Sequence, residues 1–63
     1  MYTNLITTIT TTKGSYAKIR FSVELAEYEV TFYDSIGYLP NCDYYTDDLE
    51  DAKHTAASEL ANL

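Results

Sequence analysis

Five carboxylate side chains fall within nine residues, and they form the densest set of groups that could do chemistry: Asp43, Asp47, Asp48, Glu50 and Asp51. Three interpretations are open. A solvated helix start would use such acids because negative charge favours the positive end of the helix dipole. A contact surface would use them in place of phosphates, to occupy a basic groove of a nucleic-acid-handling protein. A Mg²⁺ or Ca²⁺ site is disfavoured, because the spacing lacks the alternating ligands and central glycine of a calcium loop.

Seven of the 63 residues are tyrosine, and four of these bracket the acidic segment: Tyr33, Tyr38, Tyr44 and Tyr45. Tyrosine suits an interface because a large rigid ring costs little entropy to fix and its hydroxyl can stay hydrated. The competing interpretation is that the rings complete a core poor in Leu, Ile and Phe, which we expect for Tyr28 and Tyr38. The interleaved acids and tyrosines predict a partner-binding site, consisting of Tyr33, Asp43, Tyr44, Tyr45, Asp47, Asp48, Glu50 and Asp51.

One thiol and one imidazole, Cys42 and His54, are the remaining reactive side chains. Cys42 lies in a loop-like stretch beside Pro40, whereas His54 falls within a predicted helix. No residue is placed to orient the histidine and none suggests an oxyanion hole, which disfavours nucleophilic catalysis. The chain also lacks a Gly-rich phosphate loop, a CxxC pair and an HExxH motif. We therefore expect no enzyme activity, no metal site and no cofactor.

Charge limits the partners of this chain. Four Lys and Arg against ten Asp and Glu give a net charge of −6, which argues against direct nucleic-acid binding because phosphate contacts dominate such affinity. A protein partner with a basic surface fits better. The charge is also uneven: residues 1–23 carry +3 and residues 24–63 carry −9, which sum to −6.

Length and cysteine usage indicate the setting. Residues 1–63 are expected to form a single domain, near the lower size limit for unaided folding because a chain this short buries only about 60% of the surface its unfolded form exposes. The lone Cys42 excludes an internal disulfide and favours a reducing compartment. The first ten residues lack the basic start and apolar run of a signal peptide. We expect a cytoplasmic protein, in the host cytoplasm if phage-encoded, with no membrane association.

Alternating and β-branched residues predict three strands joined by short turns. The first is the Thr-rich stretch 2–12, followed by the turn Lys13-Gly14-Ser15. The second, residues 17–25, alternates most cleanly, and the third covers residues 28–33. The residues predicted to face inward from the second strand are Ala17, Ile19, Phe21, Val23 and Leu25.

Residues 34–45 have a loop composition, with at most a short edge segment near Tyr38 or Tyr44. Within this loop, Ile36, Tyr38 and Leu39 are expected to lie on the core. Residues 46–63 then read as an amphipathic helix, with Thr46 or Asp47 at its start. Its apolar stripe is Leu49, Ala52, Ala56, Leu60 and Leu63.

Hiding one apolar sheet face under one apolar helix stripe requires only two layers. We therefore predict an α+β fold, a three-stranded antiparallel β-meander packed by one C-terminal α-helix in the order β-β-β-α. The core is small enough that self-association through the first strand is also expected to be feasible.

The size, acidity, tyrosine content and sheet-plus-helix pattern resemble the small inhibitors of bacteriophages and mobile elements, the anti-CRISPR and DNA-mimic class, although no motif within TDDLEDAKHTAASELANL identifies a family. The resemblance lies in composition and architecture, so it assigns no residue a role. It implies a non-enzymatic inhibitor that blocks a nucleic-acid-handling host complex. The alternative is a small structural or regulatory homo-oligomer that associates through the Thr-rich first strand.

Overall fold

The chain folds into one antiparallel sheet with a C-terminal helix against one face, and the computed structural model describes residues 3–62. Four strands lie side by side in sequence order: β1 (Thr3–Thr10), β2 (Tyr16–Ser22), β3 (Glu27–Tyr33) and β4 (Tyr44–Thr46). A single turn of 3₁₀ helix (Pro40–Cys42) precedes β4, and helix α1 covers Leu49–Ala61. The predicted α+β class is confirmed, and the sheet has in addition a short fourth strand at its edge.

The β1–β2 hairpin follows from its sequence. Gly14 adopts a φ of 91°, the left-handed region that costs a residue without a side chain little. The hydroxyl of Thr11 donates to the carbonyl of Ser15 at 3.1 Å and closes the turn. Thr10 then pairs with Tyr16 and Thr8 with Lys18, and an irregularity in register lies between Leu5 and Thr7.

The prediction that β2 continues to Leu25 is wrong. The strand ends at Ser22, and residues 23–26 form the turn into β3. The Ser22 hydroxyl accepts from the backbone N–H of Leu25 at 3.3 Å, and Ala26 takes a φ of 54°. Val23 and Leu25, predicted to face the core, are therefore 56% and 55% exposed. The apolar alternation in the sequence extends past the end of the strand, because the turn at residues 23–26 directs the chain away from the sheet.

Helix α1 begins later than predicted because Thr46 is still paired in β4. Asp48 is the N-cap, and its side chain accepts from the backbone N–H of Glu50 at 3.0 Å. The hydroxyl of Thr46 accepts from the backbone N–H of Asp48 at 3.2 Å, so it supports the cap rather than forming it. Leu63, the last member of the predicted stripe, lies outside the described residues, as does residue 2 of the first predicted strand.

The core consists of one side of the helix against the middle of the sheet. Its helical members Ala52, Ala56 and Leu60 are buried, as predicted, and Leu49 packs against them. The sheet contributes the side chains that alternate inward from β2 and β3: Ala17, Ile19, Val30 and Phe32. Because two helical positions are alanine, the helix can approach the sheet closely, and packing depends on that short distance.

The loop after β3 departs from the prediction that it covers the core. The carboxylate of Asp34 accepts from the backbone N–H groups of Ile36 and Gly37 at 2.8 and 2.9 Å. This turn lifts Ile36 into solvent, where it is 94% exposed. Tyr38 is 48% exposed, and only Leu39 packs against the core as predicted.

The opposite face of the sheet, here called the outer face, has no helix over it. It carries the side chains that alternate with the core residues: Tyr16, Lys18, Arg20, Glu29, Thr31, Tyr33 and Tyr45. The rings of Tyr16 and Tyr33 stack at 4.7 Å with 8° between their planes. Lys18 places its ammonium 5.2 Å from the centroid of the Tyr33 ring. Thr31 is buried although it lies on this face, so the long side chains form a thin second layer.

In the described part of the chain, no helix combines the length and the apolar character needed to cross a bilayer.

The close approach of helix and sheet can be tested with adjacent alanines. Ala56 is fully buried and Ala57 is exposed, so Ala56→Leu should lower the free energy of unfolding by about 1–3 kcal/mol through overpacking. Ala57→Leu adds the same side chain facing solvent and should change that free energy by less than about 0.5 kcal/mol. Urea unfolding of both variants measures the difference. Equal stabilities would show that the interface has room to spare.

Candidate functional site

The five predicted carboxylates lie along the β4 edge of the sheet and over the first turn of α1. We call this surface the acidic edge, and its members are Asp43, Asp47, Asp48, Glu50 and Asp51. Asp43 directly precedes β4, and Asp47 and Asp48 connect β4 to the helix. Asp47, Asp48 and Glu50 are exposed, whereas Asp43 and Asp51 are half-buried. The short connection between strand and helix therefore gathers these acids on one border of the molecule.

Cations neutralise little of the acidic edge. Within residues 3–62, Lys53 and Glu50 form a salt bridge, with 3.7 Å between Nζ and Oε2. Both side chains are well exposed, at 47% and 82%, and exposed ion pairs contribute little to stability. Lys18 and Arg20 lie on the outer face, away from the helix start. The carboxylates thus keep their charge at the surface.

Tyr44 and Asp51 join the acidic edge to the core. The Tyr44 hydroxyl donates to Asp51 Oδ2 at 2.6 Å, while the Tyr44 ring packs against the core. This bond holds the pKa of Asp51 below its usual value, with help from the Thr46 hydroxyl. The same bond raises the pKa of Tyr44. Asp51 is therefore held in its ionised form and fixed in position.

A second pair of tyrosine–carboxylate bonds lies on the outer side of the same edge. The Tyr38 hydroxyl donates to both oxygens of Asp43, at 2.8 and 2.6 Å, and the Tyr45 hydroxyl donates to Glu29 Oε2 at 3.1 Å. The bond to Asp43 raises the pKa of Tyr38 to about 12. The bond to Glu29 raises the pKa of Tyr45. Each tyrosine orients a carboxylate without neutralising it.

Strand alternation separates the tyrosines that the sequence placed together. Tyr44 points to the helix side and Tyr45 to the outer face, because neighbours in a strand project to opposite faces. Tyr33 lies farther along the outer face, stacked on Tyr16. Its hydroxyl accepts from Thr31 at 3.3 Å, and this bond together with nearby Arg20 and Lys18 lowers the pKa of Tyr33. The acids and Tyr44 share one border, whereas Tyr33 and Tyr45 belong to the outer face.

Sequence reasoning missed the outer-face contacts of Tyr16, Tyr38 and Glu29. The sequence did contain a signal for these contacts. Tyr16 lies on the polar side of the β2 alternation, and Glu29 lies on the polar side of the β3 alternation. Placing them opposite Tyr33 and Tyr45 requires the hairpin register, in which Tyr16 pairs with Tyr33 and Glu29 with Tyr45. The turn lengths that set this register were not evident from the sequence.

A shallow depression of about 250 Å³ lies between β4 and the helix, lined by Cys42, Asp43, Tyr44, Thr55 and Glu59. Cys42 is half-buried and has a free thiol, whereas His54 is exposed on the helix. No group of three His, Cys, Asp or Glu side chains that could hold a metal ion is found among the residues described.

No protein-family model, curated protein or solved structure gives a significant match to this chain.

The Tyr44–Asp51 bond predicts a pH dependence of stability. A carboxylate with a lowered folded pKa contributes stability that is present above its unfolded pKa, about 3.8, and is lost as the pH falls through the folded pKa. Tyr44→Phe should therefore lower the free energy of unfolding at pH 7, and the difference from wild type should shrink on acidification. Carboxyl ¹³C titration should show the pKa of Asp51 rising in this variant.

Tyr45→Phe is the matched control, because it removes a hydroxyl from the adjacent residue and leaves Asp51 untouched. An unchanged Asp51 pKa in Tyr44→Phe would contradict the assigned bond.

The Tyr38–Asp43 bond can be tested at the other end of the pH scale. Asp43→Asn removes the charge that disfavours the phenolate, so the pKa of Tyr38 should fall from about 12 toward its ordinary value of 10.0. Ring ¹³C shifts of Tyr38 followed through alkaline pH report this directly. A Tyr38 pKa that stays in place after the substitution would exclude Asp43 as the cause.

Proposed function

We propose that this chain is a non-enzymatic inhibitor that binds, through the acidic edge, a protein partner with a basic nucleic-acid-binding surface. Occupation of that surface would keep nucleic acid out of the host complex. The proposed role is that of the anti-CRISPR and other anti-defence proteins that the chain resembles in composition and architecture.

The observation that carries this proposal is that neutral hydrogen-bond donors orient the carboxylates of the acidic edge. Asp43 and Asp51 accept from tyrosine hydroxyls, and Asp48 accepts from a backbone N–H. These partners are neutral donors, so they orient an oxygen and leave its charge available. A set of oriented carboxylate oxygens along one border is what a row of phosphates offers to Lys and Arg side chains.

The fold also supports presentation of the acids to a partner. Helix α1 starts at the acidic edge, and its N-cap fixes the direction of the first turn. Because Asp48 and Asp51 are bonded to their own element or to β4, they lose little conformational freedom on binding. Pre-organisation of this kind raises affinity by lowering the entropy cost of association.

Charge and aromatic rings would have different effects in such a complex. The net charge of −6 would raise the rate of encounter with a basic groove, and salt would reduce that rate. Tyr45, 47% exposed beside the acidic edge, would add apolar contact area at low entropy cost and so slow dissociation. Tyr33 would contribute only if the partner extends over the outer face.

The proposal is tested by reversing charge at two acids that hold no structural bond to the core. Asp47→Lys with Glu50→Lys should reduce capture of basic nucleic-acid-binding proteins from nuclease-treated lysate at least tenfold, because like charges then face each other. Both side chains are exposed, so the variant should stay folded, with a midpoint of thermal unfolding lowered by a few degrees because lysine in place of an acid at the helix start opposes the helix dipole. Capture by the wild-type chain should fall with added salt and with a competing DNA oligonucleotide.

The matched control is the triple variant Val23→Lys, Glu24→Lys and Leu25→Lys. These three residues are exposed in the β2–β3 turn, outside the acidic edge and the depression beside it, and the net charge changes by the same amount. Equal loss of capture in both variants, or capture indifferent to competing DNA, would refute docking at the acidic edge.

A further inference from the structure

The two edges of the sheet differ in length and in chemistry. β1 forms one edge with eight residues, and β4 forms the other with three. An edge strand exposes unpaired backbone N–H and C=O groups, and proteins usually protect such strands from pairing with other chains. In this sheet only the β4 edge is protected in this way.

The β4 edge carries the usual protective features. It is short, it follows Pro40, and acids flank it on both sides, at Asp43 and at Asp47 and Asp48. Charge and proline at an edge disfavour the approach of another strand. This edge is therefore unsuited to strand pairing.

The β1 edge carries almost none of these features. Thr3–Thr10 contains no charged residue and no proline. Leu5 and Ile6 are 56% and 43% exposed on it. The irregularity between Leu5 and Thr7 disturbs the strand locally, but Thr7 to Thr10 continue in regular register with β2. A long, uncharged edge with exposed apolar side chains is suited to pairing with another strand.

We infer that β1 pairs antiparallel with β1 of a second copy of this chain. Two identical strands related by a two-fold axis present the same uncharged sequence to each other, so the contact is self-complementary and closes at two copies. The two sheets would merge into one of eight strands. The two acidic edges would then lie at its opposite ends.

Electrostatics favour this edge over the rest of the surface for self-association. Each copy carries a net charge of −6, so contacts near the acidic edge would be repulsive. β1 lies three strand spacings from β4, about 14 Å, which exceeds the Debye length of about 8 Å at physiological ionic strength. Lys18 and its counterpart on β2 of the second copy would be separated by the same distance. Screening thus removes most of the repulsion for this pairing.

The experiment measures the molar mass of the full chain by light scattering after size exclusion, over a range of concentrations at physiological salt. The wild-type protein should approach twice the chain mass of 7.2 kDa. Leu5→Lys with Ile6→Lys should give the mass of a single chain, because it places charge on the pairing edge. Both side chains are exposed, so loss of folding is not expected, and circular dichroism checks this.

Val23→Lys with Leu25→Lys is the matched control, since those two apolar residues are 56% and 55% exposed in the β2–β3 turn. It should remain a dimer, as should the variant with Asp47→Lys and Glu50→Lys. Amide hydrogen exchange should become slower in β1 as concentration rises.

Three results would overturn the inference. They are a wild-type mass of one chain at every concentration, a foreign strand as the only partner of β1, and a dimer that persists when Leu5 and Ile6 are replaced by lysine. Because the acidic-edge variant should still dimerise, failure of this inference and failure of the proposed function are distinguishable.

Discussion

Contact between the alanine side of α1 and the centre of the sheet is the constraint on which the rest of this structure depends. Ala52 and Ala56 have no exposed surface, and they meet a sheet surface built from Ile19, Val30 and Phe32. With so few large apolar side chains, the core gains stability from close approach rather than from bulk. β4 ends at Thr46 and α1 begins at Leu49, and the short connection between them places the acids on one border.

The sheet face without a helix shows how a chain of this size manages an open surface. Tyr16 and Tyr33 stack on each other, and Lys18 lies over the Tyr33 ring, so that Thr31 beneath them is buried. Long amphipathic side chains shield backbone and small residues while their polar ends stay hydrated. The tyrosines of this chain thus complete the outer side of the sheet, and a partner surface is a second use of the same rings.

Tyrosine hydroxyls and carboxylates are paired three times along the β4 side of the molecule, by Tyr44 with Asp51, Tyr38 with Asp43, and Tyr45 with Glu29. A neutral donor fixes a carboxylate oxygen and leaves its charge intact, whereas a lysine in the same place would cancel that charge. The chain therefore combines an ordered border with a high negative charge. This combination links the packing of the fold to the proposed acidic contact. The β1 edge, at the opposite side of the sheet, contains no charged residue.

Local pattern in the sequence determined the α+β class, the first hairpin with Gly14 and the buried stripe of the helix, because periodicity and turn chemistry act over a few neighbouring residues. It also located the carboxylates at the helix start. Only the tertiary structure decided where β2 ends, since the apolar alternation through Val23 and Leu25 continues into a turn, and where α1 begins, since Thr46 is engaged in a fourth strand. The grouping of tyrosines with acids was likewise a matter of register: Tyr44 and Tyr45 are adjacent in sequence, but a strand sends them to opposite faces, and pairing across the sheet chooses their partners.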